Sequence, residues 1–356
     1  MTFTKGSFGY VRVTACYPTT LEMSMQVSTS IRTAAGLCAA AMLFAGCAGT
    51  SSQMTPQARG LAMHRPSGPT TSGRTWMDPA AKGGDLLYVA TAGNSAVEIY
   101  SYPKLKQVGA LTDTQWPEGL CSDKAGNVWV TNYEFHGYLP GYMTEYAHGG
   151  TKIIATLQDA NQSPGDCSID PTTGNLAIAN RIPATGEYSS GNIGIYTKAK
   201  GDPVTYTSPD IFFYYWCTYD DKGNLFVNGF NSASQVVFVE LPKGSKNFKT
   251  LQLDEPMSWP VGIRWDGKYL AAGNGNDTNP FVYRFQIHGN KATTVSSMQL
   301  NGASSIAQFT VFGKNIIVPS VQSGIVGIYA YPAGGDTVKT INEGNEPVGT
   351  VISTAK

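Results

Sequence analysis

Charge is scarce in this chain. Only 14% of its 356 residues are Asp, Glu, Lys or Arg, and 25 basic side chains cancel 25 acidic ones. Nucleic-acid binding rests on neutralising phosphates, so a nucleic-acid partner is set aside. Strong catalytic signatures are missing too: the chain has no G-x-S-x-G, no H-E-x-x-H and no phosphate-binding Gly loop. The acidic turn GNGNDTN at 273–279 lacks the spaced acidic set and terminal Glu of an EF-hand calcium loop. Histidine occurs 4 times. The apolar run TAAGLCAAAMLFA at 33–45 falls short of the roughly 20 residues that span a bilayer.

That run follows Arg32 and reads as the core of an export signal. Phe44-Ala45-Gly46-Cys47 resembles a bacterial lipobox, with Phe44 in place of the usual Leu, which makes Cys47 the expected lipidation site. An ordinary secretory signal is the other reading. Met23 and Met25 are both plausible starts. Residues 1–46 are thus expected to be a removed lead. Residues 47–83 are rich in Ser, Thr, Gly and Pro, bury too little apolar surface to offset ordering entropy, and read as a flexible tether. The expected location is the periplasm or outer surface, with the membrane touched only through the lipid.

What the chain has in quantity is one repeated phrase. A Gly-Asn or Gly-Lys turn followed by a short apolar strand stands at GNVWVTN (Gly126), GNLAIAN (Gly174), GNLFVNG (Gly223), GKYLAAGN (Gly267) and GKNIIVPS (Gly313). The phrase returns about every 44 to 49 residues, the length of one supersecondary unit. Each unit aligns as four strands, a to d. Strand a leads from a Pro-x-Gly-like start to an Asp, the Gly-Asn turn follows, strand b comes next, and strand c ends in an aromatic or Leu. Near-continuous apolar runs imply sheets buried on both faces. The first unit lacks a strand a, and the segment from Glu346 to Ile352 is a strand a with nothing after it. The expected fold is therefore all-β: a six-bladed β-propeller over residues 84–356, of four-stranded antiparallel blades, closed by pairing the C-terminal strand with the N-terminal blade.

These motifs resemble the NHL repeat and its six-bladed relatives, the senescence-marker-protein/gluconolactonase and strictosidine-synthase-like propellers. The WD signature is absent, which argues against seven blades. The resemblance implies architecture more than activity, because such propellers host hydrolases, lyases and binding modules alike. Gluconolactonase-like relatives place a divalent metal at the channel mouth, held by carboxylate and Asn ligands where several strands a begin, and so imply a possible Ca, Mg or Zn ion. Here Glu118 holds such a place; the corresponding places carry Gly165, Trp216, Val261 and Val348, and Asp166 fits only by a shifted register.

Loops that begin strands a and join b to c share one face, where function in such rings gathers. The catalytic candidates there are Glu118 and His136, a pair able to serve as general base in a hydrolase or lyase. Against this stands a solvated loop histidine. Trp116, Tyr214, Trp216 and Trp259, with Glu118 and Asp166, are the ligand-binding candidates, because rigid rings at a concave mouth suit stacking on peptides or sugars. Tyr133, Tyr215, Arg181 and Gln308 fall on the same face. Three cysteines remain in the propeller. Cys121 lies two residues before its repeat Asp, whereas Cys167 and Cys217 lie three before theirs. That offset permits a Cys121–Cys167 bridge in an oxidising compartment; three buried apolar thiols are the alternative. The functional expectation is a ligand-binding or protein-interaction module at the cell envelope, taking an envelope protein, peptide or carbohydrate. The alternative is a metal-dependent, lactonase-like hydrolase or a lyase.

Overall fold

A computed structural model describes residues 73–133, 141–159, 161–183, 190–275 and 279–356. Cys47, the lead, His64 and most of the tether lie outside the described residues, as do Glu134, His136, Tyr138, Glu187, Tyr188, Asn276 and Asp277. Apart from two short 3-10 turns, every regular element among the described residues is a strand.

The repeat works locally as its chemistry requires. In four units an Asp ends strand a and folds its carboxylate back on the turn: Asp123 accepts the amides of Ala125 and Asn127, Asp170 that of Thr172, and Asp220 those of Lys222 and Asn224. Asp266 does the same for Lys268 and Tyr269. The glycine that follows adopts positive φ, +84° at Gly126 and +87° at Gly223, where other residues are strained. Each such turn thus sets the register of its a–b pair through contacts between near neighbours in the chain. The b strands, such as Leu86–Thr91 and Leu225–Phe230, are buried along their whole length. They supply the apolar layers packed between neighbouring sheets.

The sheets are propeller-like. Three contain four strands in meander order and one contains five, in which the C-terminal strand Pro347–Ser353 pairs with Leu86–Thr91 from Leu86↔Ser353 to Thr91↔Pro347. The two ends of the repeat region therefore complete one sheet, as expected. Its fifth strand, Trp76–Met77, pairs with Ala110 and Gly109, so ordered chain begins inside the segment read as tether. The remaining sheet has eight strands, where two blades of four were expected. It consists of two consecutive meanders, residues 213–253 and 260–299, joined by a short parallel pairing of Gln252 with Lys291 and Leu253 with Ala292. The cause is an overlong hairpin. Pairing between strands Leu270–Asn274 and Phe281–His288 ends at Leu270↔Phe285, but Phe281–His288 continues with its own partner Lys291–Gln299 out to His288↔Lys291.

A side-chain staple reinforces the closure, with the Tyr100 hydroxyl donating to the Glu343 carboxylate across 243 residues of sequence. Burial, with Glu98 nearby adding to it, raises the Glu343 carboxyl to about 7 against 4.5, outweighing the Tyr100 bond. A carboxyl whose folded-state pKa lies above its unfolded value favours folding only while protonated, so this contribution is lost as pH rises from about 4.5 through 7. Glu343→Gln is expected to stabilise the protein at pH 8 by up to about 3 kcal/mol and to flatten the stability profile between pH 5 and 7. Thermal melts at five pH values check this; an unchanged profile would exclude the assignment.

Candidate binding face and axial network

Neighbouring strands a lie side by side around the centre, and five of the six start with a register shift. It falls between Pro117 and Leu120 in the second unit, at Gly165 in the third, at Tyr215 in the fourth, between Pro260 and Ile263 in the fifth and near Val348 at closure. Such bulges re-aim side chains. At the residue after the bulge the neighbouring strands approach so closely that there is room for few Cβ atoms. At Gly119 a Cβ would lie 2.6 Å from the Asp166 Cα, and at Gly262 it would lie 2.7 Å from the Ala307 carbonyl. Glycines at Gly119, Gly262 and Gly349 leave space that Asp166 and Gln308, at the same position of their own strands, occupy.

Those two polar side chains tie the ring together. Asp166 is fully buried. Its Oδ1 accepts from the Cys167 amide at 2.8 Å and from Gln308 Nε2; its Oδ2 accepts from the Cys217 amide at 3.0 Å and from Arg264 at 3.4 Å. Gln308 in turn clasps Leu120, accepting from its N–H at 2.9 Å and donating to its C=O at 3.0 Å, while its own N–H reaches Val348 O at 3.0 Å. Strands a from every unit contribute. The axis is therefore crossed by a satisfied polar network at the level of Asp166. Below it, toward the Gly-Asn turns, lies an axial cavity of about 240 Å³ walled by Leu120, Val311, Ile352, Arg264 and the cysteine pair.

Glu118 lies on the other side of this plug. Its carboxylate is held by Arg181 in a two-pronged ion pair, Nη2–Oε2 at 2.6 Å and Nη1–Oε1 at 3.3 Å, with both side chains mostly buried. The Arg181 guanidinium lies 5.4, 5.1 and 5.6 Å from the ring centres of Tyr133, Tyr215 and Trp216. A planar cation in an aromatic box is a stable pairing. Four residues that sequence placed on one face, Glu118, Tyr133, Tyr215 and Trp216, thus meet around Arg181. Register corrects one assignment: the residue in the bulge opposite Glu118 is Tyr215, and Trp216 stands one place further in.

The other ring candidates divide. Tyr214 is enclosed, its hydroxyl accepting from the Ser208 amide at 2.6 Å, and Trp216 is 4% exposed with Nε1 donating to Pro260 O at 3.1 Å. Trp116, in the left-handed region at φ 45°, and Trp259, edge-on to Phe230 at 5.1 Å, are half-buried at the rim. Glu118 and Asp166 are each engaged by a different arginine. Sequence reading did not single out Arg264; the available signal was a lone charge within a strand a whose counterparts are Cys121, Ser168, Thr218, Thr310 and Val351.

A hard divalent cation needs anionic oxygens free to converge. Glu118 gives both oxygens to Arg181, and both Asp166 oxygens are filled by amide, guanidinium and carboxamide donors beside a positive charge. The donor set does not fit Ca, Mg or Zn. Among the described residues no three His, Cys, Asp or Glu side chains cluster as ligands would.

Cys121 and Cys167 are joined in a disulfide between the innermost strands of adjacent units, with Cα atoms 5.7 Å apart. Cys217 is a free, fully buried thiol whose pKa burial pushes well up. The one-residue offset in the sequence permitted this pairing but left three buried thiols as the alternative; the structure selects the bridge.

Inner strands ringed about a polar axis and closed by the two termini define a β-propeller. The chain matches no protein-family model and no curated protein. Among solved structures it is similar to a chain of the nidogen/laminin complex, with TM-score 0.62 and 14% identity over 77% of this chain and 100% of that one. It is also similar to a 6-phosphogluconolactonase candidate from Bacteroides fragilis, with TM-score 0.50 and 14% identity over 76% of this chain and 98% of the other. At such identities the likeness is one of fold.

Proposed function

We propose that this protein is an exported, lipid-anchored, six-bladed propeller of NHL-like type that binds a protein or peptide partner through its strand-start face at the cell envelope. The eight-stranded sheet counts as two blades in this reading. One observation carries the function: the carboxylates that a catalytic metal would need are neutralised by Arg181 and Arg264, while the same face gathers Arg, Tyr and Trp, the residues that dominate protein-interaction hot spots. Trp116 and Trp259 at the rim extend this surface. The Cys121–Cys167 disulfide supports an oxidising compartment, as export requires. Cys47 is the anchor in this reading, and the residues between it and Trp76 hold the propeller near the membrane.

The experiment is a metal and turnover assay on the purified full-length protein. Neither Ca²⁺, Mg²⁺ nor Zn²⁺ should bind stoichiometrically, and lactone and ester substrates should show no turnover that depends on Glu118. One equivalent of metal lost on Glu118→Ala, with activity lost alongside it, overturns the binding-module reading in favour of a hydrolase or lyase.

A further inference from the structure

The overlong hairpin of the fifth unit has built a second concave site, on the face carrying the Gly-Asn turns. Residues Gln286, Ile287 and Gly289 extend beyond the end of strand Leu270–Asn274 and roof a groove of about 420 Å³ between the fourth and fifth units. The a–b turns of both units form its floor. The parallel pairing of Lys291 and Ala292 with Gln252 and Leu253 fixes the roof to the neighbouring unit. Among the other c–d pairs no strand reaches the nine residues of Lys291–Gln299, so this groove is a departure from the repeat.

Its lining is pre-arranged. The Trp265 indole lies parallel to Phe226 with centroids 6.0 Å apart, and its Nε1 donates to Asp221 at 2.9 Å. The half-buried Tyr269 ring is flanked by Lys268 Nζ at 4.9 Å and the Arg284 guanidinium at 4.7 Å. The Glu240 carboxylate, 5% exposed, lines the groove and is paired with Lys249 at 3.0 Å. Charge is balanced, with Asp220, Asp221 and Glu240 facing Lys222, Lys249 and Lys268.

We propose that this groove is a binding site for a neutral saccharide. Balanced charge favours neither an anion nor a cation, and the many donors and acceptors disfavour an apolar ligand. A sugar presents C–H faces to flat rings and hydroxyl edges to carboxylates, ammonium groups and amides, which is the mixture present. Rings already locked in place lose little entropy on binding. Lys222 and Gln286, both exposed at the rim, take the outer hydroxyls. The site is independent of the strand-start face and of any partner bound there.

Isothermal titration of the full-length protein with maltotriose, cellotriose and chitotriose tests the proposal. At least one is expected to saturate a single site. Tyr269→Ala, and separately Lys222→Ala with Gln286→Ala, should weaken it on the order of tenfold or more, whereas Ile154→Ser on the distant second unit should not. The exposed Lys222/Gln286 pair keeps the test valid if Tyr269→Ala fails to fold. The proposal is overturned if none of the three saturates, if the Lys222/Gln286 variant binds as wild type does, or if Trp259→Ala removes binding that the groove variants retain.

Discussion

Asp166→Ala should destabilise the protein by about 3–5 kcal/mol, the size expected when one member of a buried ion pair is removed. The carboxylate is fully enclosed and meets four donors, from the third, fourth, fifth and sixth units. Without it the Arg264 guanidinium, 16% exposed, is left beside the Cys217 and Ile263 carbonyls with no counter-charge. The Cys167 and Cys217 amides and the Gln308 carboxamide lose an acceptor in a place water reaches poorly, and each such loss costs about 1–3 kcal/mol. Asp166→Asn keeps the volume and one acceptor oxygen and should lose less. Guanidinium unfolding of wild type and both variants checks the order. If Asp166→Ala unfolds within about 0.5 kcal/mol of wild type, the axial network does not hold the ring.

Removing the Cys121–Cys167 bridge should produce the other large effect. The bridge spans 46 residues of sequence, and closing such a loop in the unfolded chain corresponds to about 4 kcal/mol by chain entropy, with measured losses of roughly 2–4. Cys121→Ala with Cys167→Ala is expected to lower the unfolding midpoint accordingly, and a reducing agent should do the same to wild type. Cys217 should stay unreactive toward a thiol reagent until unfolding, because its thiolate is disfavoured by burial and by the nearby Asp166. Equal midpoints with and without reductant would exclude a structural role for the bridge.

Much of the scaffold was legible because its causes are local. The Asp that closes each turn and the Gly of positive φ sit within five residues of one another, so their spacing in the chain is their spacing in space. Closure was legible from two unmatched strand fragments at the ends. The cysteines were legible only as parity: one residue of offset sets Cys121 apart from Cys167 and Cys217 and permits a bridge, but three buried thiols fitted the chain as well, and the structure decides for Cys121–Cys167. The face shared by Glu118, Arg181, Tyr133 and Tyr215 was visible as a set of loop positions.

What joins the members of that set was not visible. Arg181 pairs with Glu118 across 63 residues, and Arg264 with Asp166 across 98; no pattern in the chain encodes which arginine meets which carboxylate. The place of Tyr215, by contrast, is countable from the chain, since it lies five residues before Asp220 as Glu118 lies before Asp123. The union of two meanders into one sheet depends on three extra residues curling over a neighbour.

By itself the sequence determined an all-β repeat, its turns, its closure and the parity of its cysteines, because each rests on near-neighbour backbone geometry. Only the tertiary structure decided that the axis is sealed by Asp166, Gln308 and Arg264, that Glu118 is spoken for by Arg181, and that a roofed groove opens on the opposite face. Those outcomes depend on which side chains converge from units far apart in sequence, where charge, volume and the space left by glycine select the partners.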